Sequence, residues 1–462
     1  MNGSFNKENV ARAFKAYDVR GKIPDELDEN IVQRIGNAFA QYLNFPKIPL
    51  IVGYDVRPTS KDFSTALIKG ILDAGVDVIN IGLVGTDVVY YATGSLEAAG
   101  GIMITASHNP ADYNGLKFVR ENAKPISGDS GLNDIKELLF SEKYISAENP
   151  GSETSKTVTQ GYIEHILGFI DPKKISPLKV VMNGGNGCAG AILPKIMQHL
   201  PQIDVVKVYW EPDGSFPNGI PNPLLPDQRE DTSAKVRETK ADIGVAWDGD
   251  FDRCFFYDEK GNFVEGYYLV ALFGEFFCKL NPGAKIIHDP RLVWATIEKV
   301  KEYGGIPVQT KSGHSFIKER MRKEDAVYAG EMSAHHYFRD NFYADNGMIP
   351  MLLLFQIVSQ EKKSVNQLLG ELMKKYPVSG EINVRLTDKD PKDIFHLIQT
   401  EYESKAISPA DHTDGLSLEF DKWRFNLRAS NTEPVIRLNV ETKDDFSLME
   451  RKRDELLAKI KS

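Results

Sequence analysis

Short apolar runs alternate along the chain with longer stretches of helical period, the pattern of layered α/β structure. One order recurs three times. Residues 49–55 (PLIVGYD) read as a buried strand, and the helix after it repeats Phe63, Leu67 and Ile71 at every fourth position, with Ile68 and Leu72 beside them. Gly75 ends that helix, and residues 76–82 (VDVINIG) form the next strand. The order returns at 178–183 (LKVVMN), a helix near 189–200 and 203–209 (IDVVKVY). It returns again at 284–289 (AKIIHD), a helix reaching Gly304 and 306–310 (IPVQT). Each set then reaches one more strand, at 101–105 (GIMIT), 242–247 (DIGVAW) and 326–330 (AVYAG). The remaining residues read differently: a strand at 381–386, a helix at 391–405, two strands within 416–441 and a charged helix to the end. The expected fold is three related α/β domains with mixed sheets plus a C-terminal α+β domain. Seams at the polar stretch 148–157, near Tyr257 and at 374–379 divide the chain into 1–151, 152–257, 258–373 and 374–462.

Composition narrows the class. With 42% hydrophobic residues among 462, the chain can bury enough apolar surface to offset its conformational entropy, which excludes wholesale disorder. A net charge of −9 gives no basic field for nucleic acid or an anionic membrane, so a bound anion must be held by local cations or backbone amides. Three cysteines without C-x-x-C spacing argue against a disulfide scaffold and for a reducing compartment. Residues 1–21 carry charges throughout and lack the apolar core of a signal peptide. The longest apolar run, 348–358, is interrupted by Pro350 and Gln356 and falls far short of the roughly 20 residues that cross a bilayer. These features predict a cytoplasmic protein with neither nucleic-acid nor membrane partners.

In open α/β sheets, ligands gather beyond the carboxyl ends of strands, so the loops after the three equivalent strands are the places to search. DGDFDR sets Asp248, Asp250 and Asp252 at alternating positions. Three carboxylates about 5 Å apart repel by roughly 3 kcal/mol per pair at an effective dielectric of 20, a cost that a hard divalent cation removes. A solvated acidic turn is the plain alternative. An EF-hand is excluded, because Arg253 stands where that loop needs glycine and a strand precedes it. TASHNPADYNGLK offers Ser107 as a nucleophile or phosphoryl carrier, with His108, Asn109, Asn114 and Lys117 behind it, although turn capping alone would also use such residues. GEMSAHH offers Glu331 and Ser333 to hydroxyl groups and His335 and His336 to proton chemistry; read alone, it could also start a helix capped by Ser333. RASNTEPVIR joins Arg428 and Arg437 to Ser430, Asn431 and Thr432 around a turn, a donor-rich shape for a phosphate dianion or a plain hairpin with surface arginines. Near the N-terminus AYDVRG supplies Tyr17 and Arg20, and GYDVRPTS supplies Arg57. MNGGNGCAG lacks the spacing of a dinucleotide fingerprint and reads as a tight strand-to-helix connection.

FKAYDVRG, ITASHNPADYNGLK, DGDFDR, GEMSAH and RASNTEP stand in the order found in the α-D-phosphohexomutases. Across nearly the whole chain the sequence resembles the bacterial phosphomannomutase/phosphoglucomutase branch of that family. The resemblance implies four domains around a central cleft, a phosphoserine at Ser107, and Mg²⁺ on Asp248, Asp250 and Asp252 with Ser107 itself. It further implies a glucose 1,6-bisphosphate intermediate and activator, or its mannose counterpart. Glu331 and Ser333 would hold sugar hydroxyls, while Arg428, Ser430, Asn431 and Thr432 would clamp the phosphate that is not transferred. Tyr17, Arg253, Arg291, Gly313, His314, His335 and Arg437 complete the expected substrate contacts. Met332 matches this branch, where the glucosamine branch usually shows Gln. Ala334 departs from the usual Gly, and Arg291 stands where relatives often carry Lys.

The expected cycle passes the phosphoryl group from Ser107 to a hexose phosphate, turns the bisphosphate around and returns the other phosphoryl group. Lys117, Arg20 and His335 are candidates for proton handling or charge stabilisation, and His108 for orienting the serine loop. The partners are small sugar phosphates, and the protein is expected as a monomer or weak dimer. A phosphoglucosamine mutase, a Mg²⁺-dependent sugar phosphatase and a silent sugar-phosphate-binding protein are the rival readings.

Overall fold

The computed structural model describes residues 5–386, 390–429 and 435–461. Two compact units result, one formed by 1–263 with 340–362 and the other by 264–339 with 363–462.

In the first unit, strand Leu50–Tyr54 lies between parallel neighbours Val78–Leu83 and Gly100–Ile104, and Tyr113–Arg120 returns antiparallel beside the last of these. Helices Glu29–Tyr42 and Ser60–Asp73 pack together beside this sheet. Asp28 caps the first by accepting from the Ile31 N–H, and its buried Ile31, Ile35 and Phe39 keep helical spacing. The two helices approach closely because Gly36 and Gly70 face the crossing. A Cβ on Gly70 would stand 1.8 Å from the Gln33 carbonyl oxygen, so no other residue fits there.

The same arrangement appears a second time in this unit. Leu178–Asn183 lies between parallel Ile203–Val208 and Ile243–Trp247, and Cys254–Tyr257 returns antiparallel. In the second unit, Lys285–His288 lies between parallel Ile306–Gln309 and Tyr328–Gly330, with His336–Phe338 antiparallel. The threefold order expected from hydrophobic patterning is therefore present. Hydrophobic patterning did not reveal that the third parallel strand of each set leads through a short turn into an antiparallel return strand. Each of these turns carries one non-glycine residue with left-handed backbone, Ser107 (φ 49°), Phe251 (φ 46°) and Ala334 (φ 69°).

The C-terminal segment forms a separate antiparallel sheet of strands Ile382–Arg385, Val435–Thr442, Trp423–Ala429 and Leu416–Glu419. Helices Pro391–Tyr402 and Phe446–Lys461 supply Ile394, Ile398, Leu456 and Ile460 to its core. Residues 416–441 thus hold three strands, not two, because Asp421 and Lys422 turn the chain between Leu416–Glu419 and Trp423–Ala429. Tyr257, near which a seam is expected, ends the buried strand Cys254–Tyr257, and the main segment of the first unit runs on to Phe263. The run at 348–358 is a buried helix, Ile349–Glu361, with Pro350 in its first turn where no N–H is missed. Among the described residues no helix is long and apolar enough to cross a membrane.

Candidate active site

Ser107 ends up buried, at 2% exposure, on the turn between Gly100–Ile104 and Tyr113–Arg120. Its left-handed backbone is one that L-residues adopt at a cost, so the turn must be held from outside. Arg57 does this. Its guanidinium donates to the carbonyl oxygens of Ser107 (2.9 Å), Asn109 (2.6 Å), Pro110 (2.7 Å) and Tyr113 (2.9 Å), while Asp55 faces its Nε at 3.3 Å. The Ser107 amide donates to Thr105 Oγ1 at 2.8 Å. So fixed, Ser107 Oγ donates to Asp248 Oδ2 at 2.7 Å and accepts from Arg253 Nη2 at 3.1 Å. His108 Nδ1 lies 3.0 Å from the same oxygen and also meets Arg253 Nη2. Loss of solvent, with Arg253 and Arg20 nearby, lowers the His108 pKa well below the ordinary histidine range, so its ring is neutral at pH 7.

The aspartate turn between Ile243–Trp247 and Cys254–Tyr257 is buried throughout. The Trp247 indole N–H donates to the Gly347 carbonyl at 2.8 Å, and a Cβ on Gly347 would stand 2.2 Å from the Phe251 carbonyl oxygen. The 340–362 segment thereby braces this turn. Arg253 binds Asp248 Oδ2 through Nε (3.0 Å) and Nη2 (2.7 Å). Lys117 Nζ donates to Asp250 Oδ2 at 2.7 Å and Asp252 Oδ2 at 2.6 Å. Burial works against the Lys117 charge, but the two carboxylates outweigh it and raise its pKa. Asp250 is raised by burial and by Asp252, yet Lys117 and Thr86 bring its pKa below the ordinary value. Thr86, first residue of helix Thr86–Ser95, donates from Oγ1 to Asp250 Oδ2 (2.5 Å) and from its amide to the Asp250 carbonyl (3.1 Å).

Three carboxylates thus face two cations. One oxygen from each of Asp248, Asp250 and Asp252 lies within 4.8 Å of the others, and Asp250 Oδ1 is buried with no hydrogen-bond partner among the described residues. An all-oxygen set with unspent acceptor capacity fits a hard divalent cation. Arg20 joins the group from strand Val19–Lys22, donating to Asp18 Oδ2 (2.7 Å) and to Asn109 Oδ1 (2.9 Å) on the serine turn. Tyr17 precedes that strand and is half-buried. The structure therefore brings together Ser107, His108, Lys117, Arg20, Arg253 and the three aspartates, all within the first unit.

The other candidates lie in the second unit. GEMSAHH is not a helix start. It is a tight turn, closed by Glu331 N–H on the His335 carbonyl (3.0 Å) and Ala334 N–H on the Glu331 carbonyl (3.0 Å). Glu331 accepts from Tyr337 Oη at 2.7 Å, from the Gly313 amide at 3.0 Å and from Arg291 Nη2 at 3.3 Å. Gly313 presents that amide with φ 121°, backbone open to glycine, immediately before His314 opens helix His314–Glu324. His335 Nδ1 lies 3.3 Å from Ser333 Oγ and 3.4 Å from Glu331 Oε2. Arg291 is held by Asp289 through Nε and Nη2, each at 2.9 Å, and lies 3.3 Å from Glu381. Arg428 and Arg437 share that Glu381, at 2.9 and 3.5 Å. Ser430, Asn431 and Thr432 lie outside the described residues.

Sequence reasoning missed Thr86 and Glu381 and saw Arg57 only as a cation. Thr86 comes after strand Val78–Leu83 at the same strand ends as the other loops, a signal that was available. Glu381 had no motif around it.

Comparison with known proteins decides the family. The chain matches the phosphoglucomutase/phosphomannomutase alpha/beta/alpha domains I, II and III over residues 11–145, 160–261 and 265–376, and the C-terminal domain over 381–459. It belongs to the phosphoglucomutase/phosphomannomutase family. It is 51% identical over 444 residues to a Xanthomonas campestris protein named phosphohexose mutases, covering 96% of this chain and 98% of that one. It is 50% identical over 450 residues to a phosphomannomutase of Escherichia coli K12, with the same coverage. Among solved structures, a phosphoglucomutase/phosphomannomutase family protein from Burkholderia thailandensis superposes with a TM-score of 0.87 at 30% identity, covering 99% of this chain and 98% of that one. Members of this family are the α-D-phosphohexomutases that the loop motifs resemble.

Proposed function

We propose that the protein interconverts the 1-phosphate and 6-phosphate of mannose, glucose or both, through a phosphoserine at Ser107 and a hexose 1,6-bisphosphate. The observation that carries this reading is Ser107 Oγ between Asp248 (2.7 Å) and Arg253 (3.1 Å), buried on a turn that Arg57 fixes through four carbonyl oxygens. Relatives named phosphomannomutase at about half identity over almost the full length support the same chemistry. Mg²⁺ on Asp248, Asp250, Asp252 and Ser107 would supply a Lewis acid that spreads the charge of the transferring phosphoryl group.

Arg253 orients the Ser107 oxygen and offsets charge on the phosphoryl group. Lys117 and Arg20 stabilise charge as the group leaves, and neutral His108 fixes the orientation of the serine side chain. In the second unit Glu331 and Ser333 hold sugar hydroxyls, beside His335, Gly313 and His314. Arg428 and Arg437, with Ser430, Asn431 and Thr432, hold the phosphate that is not transferred. The segments 1–151, 152–257, 258–373 and 374–462 would each carry one of these roles, with the bisphosphate as activator. Three buried, unpaired cysteines accord with a cytoplasmic, reducing setting. Turnover of mannose 1-phosphate and glucose 1-phosphate, measured with and without glucose 1,6-bisphosphate, tests the reading. Interconversion that the bisphosphate stimulates is expected. Steady phosphate release would make the protein a phosphatase, and preference for the amino sugar would make it a phosphoglucosamine mutase.

A further inference from the structure

Arg428 and Arg437 stand directly opposite each other on adjacent antiparallel strands, a pairing in which like charges repel. Glu381, one residue before strand Ile382–Arg385, resolves the conflict. Its Oε2 accepts from Arg428 Nη2 at 2.9 Å and from Arg291 Nη1 at 3.3 Å, and its Oε1 lies 3.5 Å from Arg437 Nη1. The Glu381 side chain is only 6% exposed, against 14% for Arg428 and 27% for Arg437, so solvent reaches the arginines more readily than the anion between them. Burial alone would favour the neutral acid, but Arg428, Arg291 and Arg437 bring its pKa down to about 2, so it is a carboxylate at any physiological pH. Arg428 Nε is buried without a hydrogen-bond partner among the described residues, so that guanidinium has a donor still unspent.

We propose that Glu381 is the resident counter-anion of this arginine cluster, and that a phosphate monoester binds there by displacing its carboxylate from Arg428 and Arg437. The idea rests on the mutase reading for its ligand, since that reading assigns the two arginines to the phosphate that is not transferred. A phosphate dianion carries more charge and more acceptor oxygens than the carboxylate it replaces, so the exchange favours binding. Glu381 subtracts from that gain. Arg291 keeps its bonds to Asp289 and remains in place, so the exchange concerns the two arginines on the strands. The consequence is a clamp of moderated affinity. It holds a sugar phosphate yet lets it go, as a bisphosphate that must turn around requires.

The test uses the full chain and inorganic phosphate as the probe, titrated calorimetrically against the parent protein, Glu381→Gln and Glu381→Asp. Glu381→Gln keeps the shape but removes the competing charge, and is expected to bind phosphate about tenfold more tightly. Glu381→Asp, with a shorter reach, should fall between the two and supplies the reading should the Gln variant fold only with phosphate present. The gain should vanish in Glu381→Gln/Arg428→Ala, which assigns it to this cluster and not to the serine turn. With hexose phosphate, KM and kcat should fall together in Glu381→Gln, because release slows. Unchanged or weaker phosphate binding in both folded single variants overturns the proposal and makes Glu381 a structural brace. Tightening without hexose-phosphate turnover in the parent would sink the mutase reading and leave the exchange standing.

Discussion

Lys117 is one of the two cations that balance the aspartate cluster, and replacing it tests how that balance is kept. Its Nζ sits 2.7 Å from Asp250 and 2.6 Å from Asp252, with the lysine side chain 5% exposed. At an effective dielectric of 20 each contact contributes roughly 6 kcal/mol of attraction, of which desolvation of the ammonium takes back a large part. Breaking a buried pair in this way costs about 3–5 kcal/mol, because the partner charges stay behind. Lys117→Met keeps most of the aliphatic length and removes the charge, and in EDTA it should unfold in urea with a stability lower by that amount. A divalent cation taking up the same carboxylates then has no lysine to displace. Mg²⁺ should therefore stabilise the variant more than the parent, where saturation at 100 times Kd gives about 2.7 kcal/mol. A loss under 1 kcal/mol in EDTA would refute the counter-ion role. Equal Mg²⁺ stabilisation of both proteins would show that lysine and cation do not compete for the same oxygens.

The same geometry fixes other outcomes. Ser107→Gly and Ser107→Ala should both abolish turnover, but Gly releases the left-handed strain at φ 49° and should be the more stable of the two by about 1 kcal/mol in thermal unfolding; equal stabilities would show that the turn is unstrained. Arg428→Ala should raise KM for hexose phosphate about 30-fold, corresponding to about 2 kcal/mol, and increase dependence on added bisphosphate; unchanged kinetics would make it a surface arginine. Glu381 has a lowered pKa of about 2, so its contribution is complete above the ordinary glutamate pKa and is lost as pH falls through 2. The parent should therefore exceed Glu381→Gln by roughly 3 kcal/mol near pH 5, and the gap should close towards pH 2, read by denaturant unfolding at each pH. A gap that stays constant would contradict the ion-pair origin.

The repeated strand order was legible because buried parallel strands are nearly continuous apolar runs, and the loops after them stand out as polar and glycine-rich. Asp248, Asp250 and Asp252 were legible through their alternation. Chemistry that main-chain atoms or distant residues complete escaped. Arg57 works through four carbonyl oxygens, which every residue has and no pattern marks. Lys117 pairs with carboxylates more than a hundred positions away, and Glu381 is a lone acid whose three arginines, two on strands and Arg291 on a loop, come together only in the folded second unit. GEMSAHH looked capable of capping a helix because Ser333 suits that role locally, while its neighbours pair as antiparallel strands.

Single-turnover mass spectrometry shows whether Ser107 carries the transferable phosphoryl group. After incubation with glucose 1,6-bisphosphate, the 105–117 segment should gain one phosphoryl group on Ser107. Adding mannose 1-phosphate should discharge it to the sugar, as mannose 1,6-bisphosphate, without free phosphate. A phosphoryl group found only elsewhere would remove Ser107 as the carrier, and one that leaves Ser107 as inorganic phosphate would make the protein a phosphatase.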